Sequence, residues 1–241
     1  MKILGICGTH KRNRKKSASE WFLNEALQAA REEGAETESI RLINYRIKPC
    51  LACNLCICGK MCPLLEDPED GAKDVFNKIF DADGIIFSSP VYAYQQPATV
   101  YNFFHRMRPF HEYERAKMTK LTINAVKGNP FAGKPVGSLA VGAAIGQEGA
   151  LYGNLHILKA LSATPVACAG IALLEPEIKN LYSVDGSFCV ENPKIKALFD
   201  RDFEEYEENE CAVNMARSVG IYINKVCNSE IFQKIRYTIK Y

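Results

Sequence analysis

The sequence carries almost no excess of charge. Its 30 basic side chains meet 28 acidic ones, for a net of +2. That removes the electrostatic reason to expect a nucleic acid or a membrane surface as partner. Long apolar runs are absent too. The longest weakly polar stretch, residues 135–146, falls short of the roughly 20 residues that span a bilayer. The apolar segment at residues 2–7 is too short for a secretory h-region, and a basic polar loop follows Gly8. These absences predict a cytoplasmic protein. Neither the G-x-G-x-x-G dinucleotide fingerprint nor an NTPase phosphate loop occurs after the first apolar run. No Ser-His-Asp or Cys-His constellation stands out, so hydrolysis has no support. Internal repeats and low-complexity segments are also lacking.

Cysteine, by contrast, is plentiful: the chain has ten. Cys50, Cys53, Cys56, Cys58 and Cys62 crowd into thirteen residues, while Cys7, Cys168, Cys189, Cys211 and Cys227 are scattered. One dense cluster in a cytosolic chain points to metal rather than to disulfides. The spacing Cys50-x2-Cys53-x2-Cys56-x5-Cys62 wraps a loop around one compact object. A cubane needs that arrangement, because each iron takes its own thiolate. Structural zinc, the alternative, favours two Cys-x-x-Cys pairs with a longer gap between them. Cys58 could replace Cys62 as fourth ligand, but Cys56 and Cys58 lie two positions apart and are hard to aim at different irons. Cys62 is therefore assigned. Cys7 and Cys168 read as small buried hydrophobes on strands.

The order of apolar patterns predicts an α/β fold. Short apolar runs at 2–7, 84–88, 135–141 and 165–172 read as strands, as does 36–43, which alternates polar and apolar. Helical spacing marks 17–34, 67–80, 98–107, 150–162 and 209–226. Five alternations argue for a parallel, doubly wound five-stranded sheet with helices on both faces. The length of 241 residues suits one such domain, placed at 1–226. Residues 49–65 form the cysteine loop, 174–208 an irregular excursion, and 227–241 a tail. The acids Glu66, Asp67, Glu69 and Asp70 read as a solvated helix start, and His105 and His111 as a helix face and its following turn.

In such sheets ligands bind at the carboxyl ends of the strands. The loop from Gly8 to Ser17 joins the first strand to the first helix and carries hydroxyls and positive charge. A helix N-terminus with free N–H groups attracts a phosphate there. His10 reads as a member of this loop rather than as a base. Ser88-Ser89-Pro90-Val91-Tyr92 leaves the third strand with exposed peptide groups for the polar edge of a flat ring. Residues 142–149 hold three glycines and two alanines, which permit close backbone approach.

With Gly8-Thr9, Ser89-Pro90-Val91-Tyr92 and Gly146-Gln147-Glu148-Gly149 in these places, the first 172 residues resemble the NADPH-dependent FMN reductase branch of the flavodoxin-like superfamily. Pro49-Cys50-x-Ala52-Cys53-x-x-Cys56 and Gly59-Lys60-Met61-Cys62 resemble its iron–sulfur flavoproteins. The resemblance implies a flavodoxin-like fold, non-covalent FMN, a 4Fe–4S cluster and homo-oligomers, dimers or tetramers. It implies that Thr9, Lys11, Arg12, Asn13 and Ser17 hold the FMN phosphate. Pro90, Val91, Tyr92 and Ala93 would line the ring, with Gly142, Ala143, Gly146 and Gln147 across from them. Cys50, Cys53, Cys56 and Cys62 would hold the cluster. The implied function is electron transfer between cluster and FMN. The donor would be ferredoxin-like or NAD(P)H, and small oxidants or quinones the acceptors. Two alternatives stand beside it. One is an NAD(P)H-dependent FMN or quinone reductase without a functional cluster; the other is a non-enzymatic electron carrier or redox sensor.

Overall fold

The computed structural model describes residues 1–11, 17–119, 126, 128–142, 145–172, 209–230 and 232–234. Five strands, β1 (Lys2–Cys7), β2 (Glu36–Arg41), β3 (Gly84–Pro90), β4 (Pro135–Gly142) and β5 (Thr164–Ala172), pair in parallel in the order β2-β1-β3-β4-β5. This is the flavodoxin-like order, with its switch point between β1 and β3. The expected fold class is what the chain adopts.

Side chains alternate across the sheet, as a strand period of two requires. Leu4, Ile6, Ile85, Phe87 and Val136 face one layer; Ile3, Cys7, Ile86, Leu139 and Val141 face the other. The first layer holds α3 (Ala72–Asp81), α4 (Ala98–His105), α5 (Arg108–Thr119) and α6 (Gln147–Ala160). The second holds α1 (Ala18–Glu32) and α7 (Glu210–Asn228). Buried on both faces, β1, β3 and β4 read as near-continuous apolar runs, which is why the sequence locates them; β2, at an edge, shows alternation instead.

Ser17 caps α1, its Oγ accepting from the Glu20 N–H. Gly34, at φ +87°, ends it, and the Ala35 N–H returns to the Ala30 carbonyl at 3.0 Å. Asn209 caps α7 through the Ala212 N–H at 3.0 Å. Four expectations change. The helix expected over 67–80 starts only at Ala72, as α3, and a separate short helix, α2 (Pro63–Glu66), precedes it, because Pro68 holds Asp67 extended at ψ 116°. The strand expected to reach Ile43 ends at Arg41 and tightens into a 3-10 turn, Leu42–Asn44. The stretch after α4 is a further helix, α5, and not a turn. Cys168 is exposed, because β5 is an outer strand of the sheet. The excursion at 174–208 lies outside the described residues, as do residues 231 and 235–241 of the tail. Among the described residues, no helix is long and apolar enough to cross a membrane.

Candidate functional site

The carboxyl ends of β1 and β3 meet at the switch point. Gly8 leaves β1 with its N–H on the Ser88 carbonyl at 2.8 Å. Thr9 is buried, and its Oγ1 accepts from Ser17 Oγ at 3.0 Å and from the Lys11 N–H at 3.2 Å. Ser19 Oγ lies 3.5 Å from Ser17 Oγ. Hydroxyls thus gather at the N-terminus of α1, where backbone donors and the helix dipole attract an anion. His10 Nε2 meets Thr99 Oγ1 at 2.8 Å, and its ring lies 5.9 Å from that of Tyr92. It is tied into the loop and has no carboxylate among these contacts. Arg12 and Asn13, expected beside the same phosphate, lie outside the described residues.

Beyond β3, Val91 donates its N–H to the Val141 carbonyl at 2.8 Å. Tyr92 and Gln95 then exchange two backbone hydrogen bonds, at 2.7 and 3.0 Å, around Ala93 and Tyr94. Those two residues sit at φ +48° and +65°. A turn with both central residues left-handed normally takes Asn or Gly, and side chains there cost about 1 kcal/mol each or more. The hairpin therefore stores strain where the flat ring was expected. Two glycines let it sit down: a Cβ on Gly146 would lie 2.8 Å from Tyr94 Cα, and one on Gly149 2.7 Å from the Tyr94 carbonyl oxygen. Tyr94 is 61% exposed and Ile145 63%, so the site presents apolar surface with nothing over it among the described residues. The Gln147 amide is turned inward, bonded to the Ile171 carbonyl at 3.1 Å over Gly142. Ala143 is not among the described residues.

The cysteine loop follows Lys48. Its backbone turns through left-handed residues, Ala52 (φ +50°), Asn54 (φ +60°) and Gly59 (φ +72°). Short backbone bonds close it, among them Lys60 N–H to the Leu55 carbonyl at 2.9 Å. Inside the loop is a small hollow lined by Cys50, Cys53, Cys56 and Cys62, with Arg106 and Arg108 also in its lining. Cys58 is exposed and takes no part in the lining. Burial pushes the Cys56 thiol up, and the Arg108 guanidinium works against that. Every described cysteine is free of disulfides. Among the described residues, no three His, Cys, Asp or Glu side chains converge closely enough to hold one metal ion. Thiols spread round a hollow suit a group whose metal atoms each take one thiolate.

Arg106 and Asp70 are the residues that sequence reasoning misses here. Asp70 is buried, not solvated, and ties Arg106 Nη1 at 2.5 Å. Arg106 Nη1 also donates to the Lys48 carbonyl at 3.1 Å, and its buried Nη2 has no hydrogen-bond partner among the described residues. No local pattern marks this pair, since 36 positions separate its members.

Residues 1–173 match the model of a family described as NADPH-dependent FMN reductase. An iron–sulfur flavoprotein of Methanocaldococcus jannaschii is 37% identical over 109 residues, 45% of this chain and 53% of that one. The match thus spans about half the length of that relative. An iron–sulfur flavoprotein of Archaeoglobus fulgidus is 24% identical over 237 residues, 95% of this chain and 96% of that one. Among solved structures, RosB aligns with a TM-score of 0.64 at 16% identity, covering 99% of this chain and 82% of RosB. At that identity the likeness is one of fold.

Proposed function

The chain belongs to the NADPH-dependent FMN reductase family, and from that premise we propose that it is an FMN-dependent oxidoreductase whose cysteine loop carries an iron–sulfur cluster. The observation that carries the cluster is the lining of the hollow: Cys50, Cys53, Cys56 and Cys62 face it and Cys58 does not. The names of the archaeal relatives support the same reading.

Bound there, FMN supplies one- and two-electron chemistry and a 4Fe–4S cluster supplies one-electron transfer. The chain's own part is to bind and orient. Thr9, Lys11 and Ser17, with Arg12 and Asn13, hold the phosphate at the start of α1. Pro90, Val91, Tyr92 and Ala93 present peptide groups to the ring edge. Gly142, Ala143, Gly146 and Gln147 admit the ring from the other side by lack of bulk or by turning inward. No side chain is required as acid or base. Electrons enter from NAD(P)H or a ferredoxin-like donor and leave to small oxidants or quinone-like acceptors. The protein works in the cytoplasm as a homo-oligomer, dimer or tetramer, with 1–226 as its one domain.

Anaerobic purification with flavin, iron and labile-sulfide analysis tests this. We expect one FMN and about four irons and four sulfides per chain. Flavin without sulfide would remove the cluster. Cys53→Ser should lose the iron, whereas Cys58→Ser should keep it; the reverse pattern overturns the ligand set. Turnover with NAD(P)H against reduced ferredoxin identifies the donor.

A further inference from the structure

A second, wider cavity of about 600 Å³ lies beside the cysteine loop and opens to solvent. Small-molecule sites occupy roughly 300–1,000 Å³, so it can take a ligand of several rings. Cys50 and Ala52 form one wall. Tyr101 forms part of another, and its phenol donates to Gln95 Oε1 in the hairpin at 2.6 Å. The floor is apolar and partly aromatic, from Phe104, Met107 and Leu161. Aromatic and thioether side chains favour the faces and edges of a flat ring.

The rest of the lining offers hydrogen-bond donors and one fixed positive charge. Arg108, His105, His111 and His156 all reach the cavity, and no carboxylate lines it. These are three of the chain's four histidines. They come from α4, α5 and α6, so the fold alone brings them together. The nearest acid, Glu112, is engaged by Arg115 at 2.7 Å and lies 3.9 Å from His111 Nδ1. Arg108 makes no ion pair among the described residues. A guanidinium held over an apolar floor, with imidazoles round it, recognises an anionic group on a flat body.

We propose that this cavity binds a planar aromatic anion, seated beside the cysteine loop against α4, α5 and α6. Its placement as an electron acceptor rests on the redox reading above; the binding itself does not. The site differs from the ring face of the hairpin, because its lining comes from the cysteine loop and these helices and includes no residue of the hairpin.

The test uses the oxidised, flavin-loaded protein and measures binding of anthraquinone-2-sulfonate by calorimetry, with neutral menadione as comparison. His156→Glu is the cleaner variant, being exposed and remote in sequence from the cysteines; Arg108→Glu is the second. We expect each to weaken the sulfonate by about ten-fold or more, because a carboxylate facing the anion replaces a hydrogen-bond donor. Menadione should change by less than about three-fold, since it has no charge to lose. Sulfonate binding that survives both variants but is lost in Tyr92→Ala would place the ligand on the hairpin and overturn the proposal. So would a change of assembly state with unchanged affinity, which would make the cavity a contact between copies. Flavin and iron are assayed in each sample. Protein without iron that still binds the sulfonate through His156 and Arg108 refutes the cluster and leaves this site standing.

Discussion

Asp70 uses both carboxylate oxygens inside the protein. Oδ1 accepts from the Ala72 N–H at 2.9 Å; Oδ2 accepts from the Lys48 N–H at 3.0 Å and from Arg106. One side chain therefore starts α3, holds the entry to the cysteine loop and neutralises a buried guanidinium. A buried pair gains little over an apolar replacement, but removing one partner strands the other at a cost of about 3–5 kcal/mol. Arg106→Ala should lower the free energy of unfolding in urea by about that much. The double variant Arg106→Met with Asp70→Asn should recover most of it. If the single change costs no more than the double, the pair is not what holds this corner. In the sequence Asp70 is one of four acids after the cysteine run, and solvated acids are the default at a helix start. Its burial is decided by α4 arriving from the other side of β3, a contact no local pattern encodes. The cysteines proposed as ligands are different. A cluster would need a fixed spacing along one loop, so the sequence displays the four that line the hollow and leaves Cys58 out of phase.

The hairpin and α6 form a matched pair of elements. Gly149 lies in the first turn of α6, and a Cβ there would meet the Tyr94 carbonyl oxygen at 2.7 Å. Gly149→Ala gains helix propensity worth about 1 kcal/mol. The collision is with backbone, which has no rotamer to escape into, and overpacking of that kind costs about 1–3 kcal/mol. The hairpin should therefore shift. We expect FMN affinity to fall by about ten-fold, read by quenching of flavin fluorescence. A variant that binds FMN as tightly as the parent would separate the glycine from the ring site. At this scale the central strands β1, β3 and β4 are legible because both faces are buried and the runs are apolar. The helix α5 is not, for a specific reason. Pro109 follows directly on its first residue, Arg108, and a proline in a basic, weakly apolar stretch reads as a stop. In the first turn of a helix the missing N–H is not needed, so the proline is tolerated. Without α5, the convergence of His105, Arg108 and His111 with His156 cannot be foreseen.

The whole molecule depends on two helices covering one face of the sheet. The backbones of α1 and α7 touch where Gly220 faces the Ala26 carbonyl, and a Cβ on Gly220 would overlap that backbone. Ala216, Val219 and Ile223 of α7 are buried with Ala26, Leu23 and Leu27 of α1. Gly220→Ala should push the helices apart, uncovering Ile86 and Leu139 beneath them. Overpacking against backbone in a full core should cost about 3 kcal/mol, visible as a lower melting temperature with flavin still bound below the transition. A melting curve that matches the parent would mean that α7 docks more loosely than its buried side chains imply.

At the borders of the sheet the outer strands are ill-suited to recruiting another chain. On one side, β2 alternates Glu36, Thr37, Glu38 and Ser39, and Glu38 is held by Lys2 at 2.7 Å and Lys78 at 2.5 Å. On the other, β5 opens with Thr164 and Pro165, and a register shift in β4 at Val136 and Gly137 breaks the ladder beside it. Charges, a proline without an N–H and an irregular ladder are the devices that keep sheet edges from acting as templates. Copies of this chain that associate must then do so through helices and loops, leaving the carboxyl-end crevice of each sheet unaltered by any strand added at its margin.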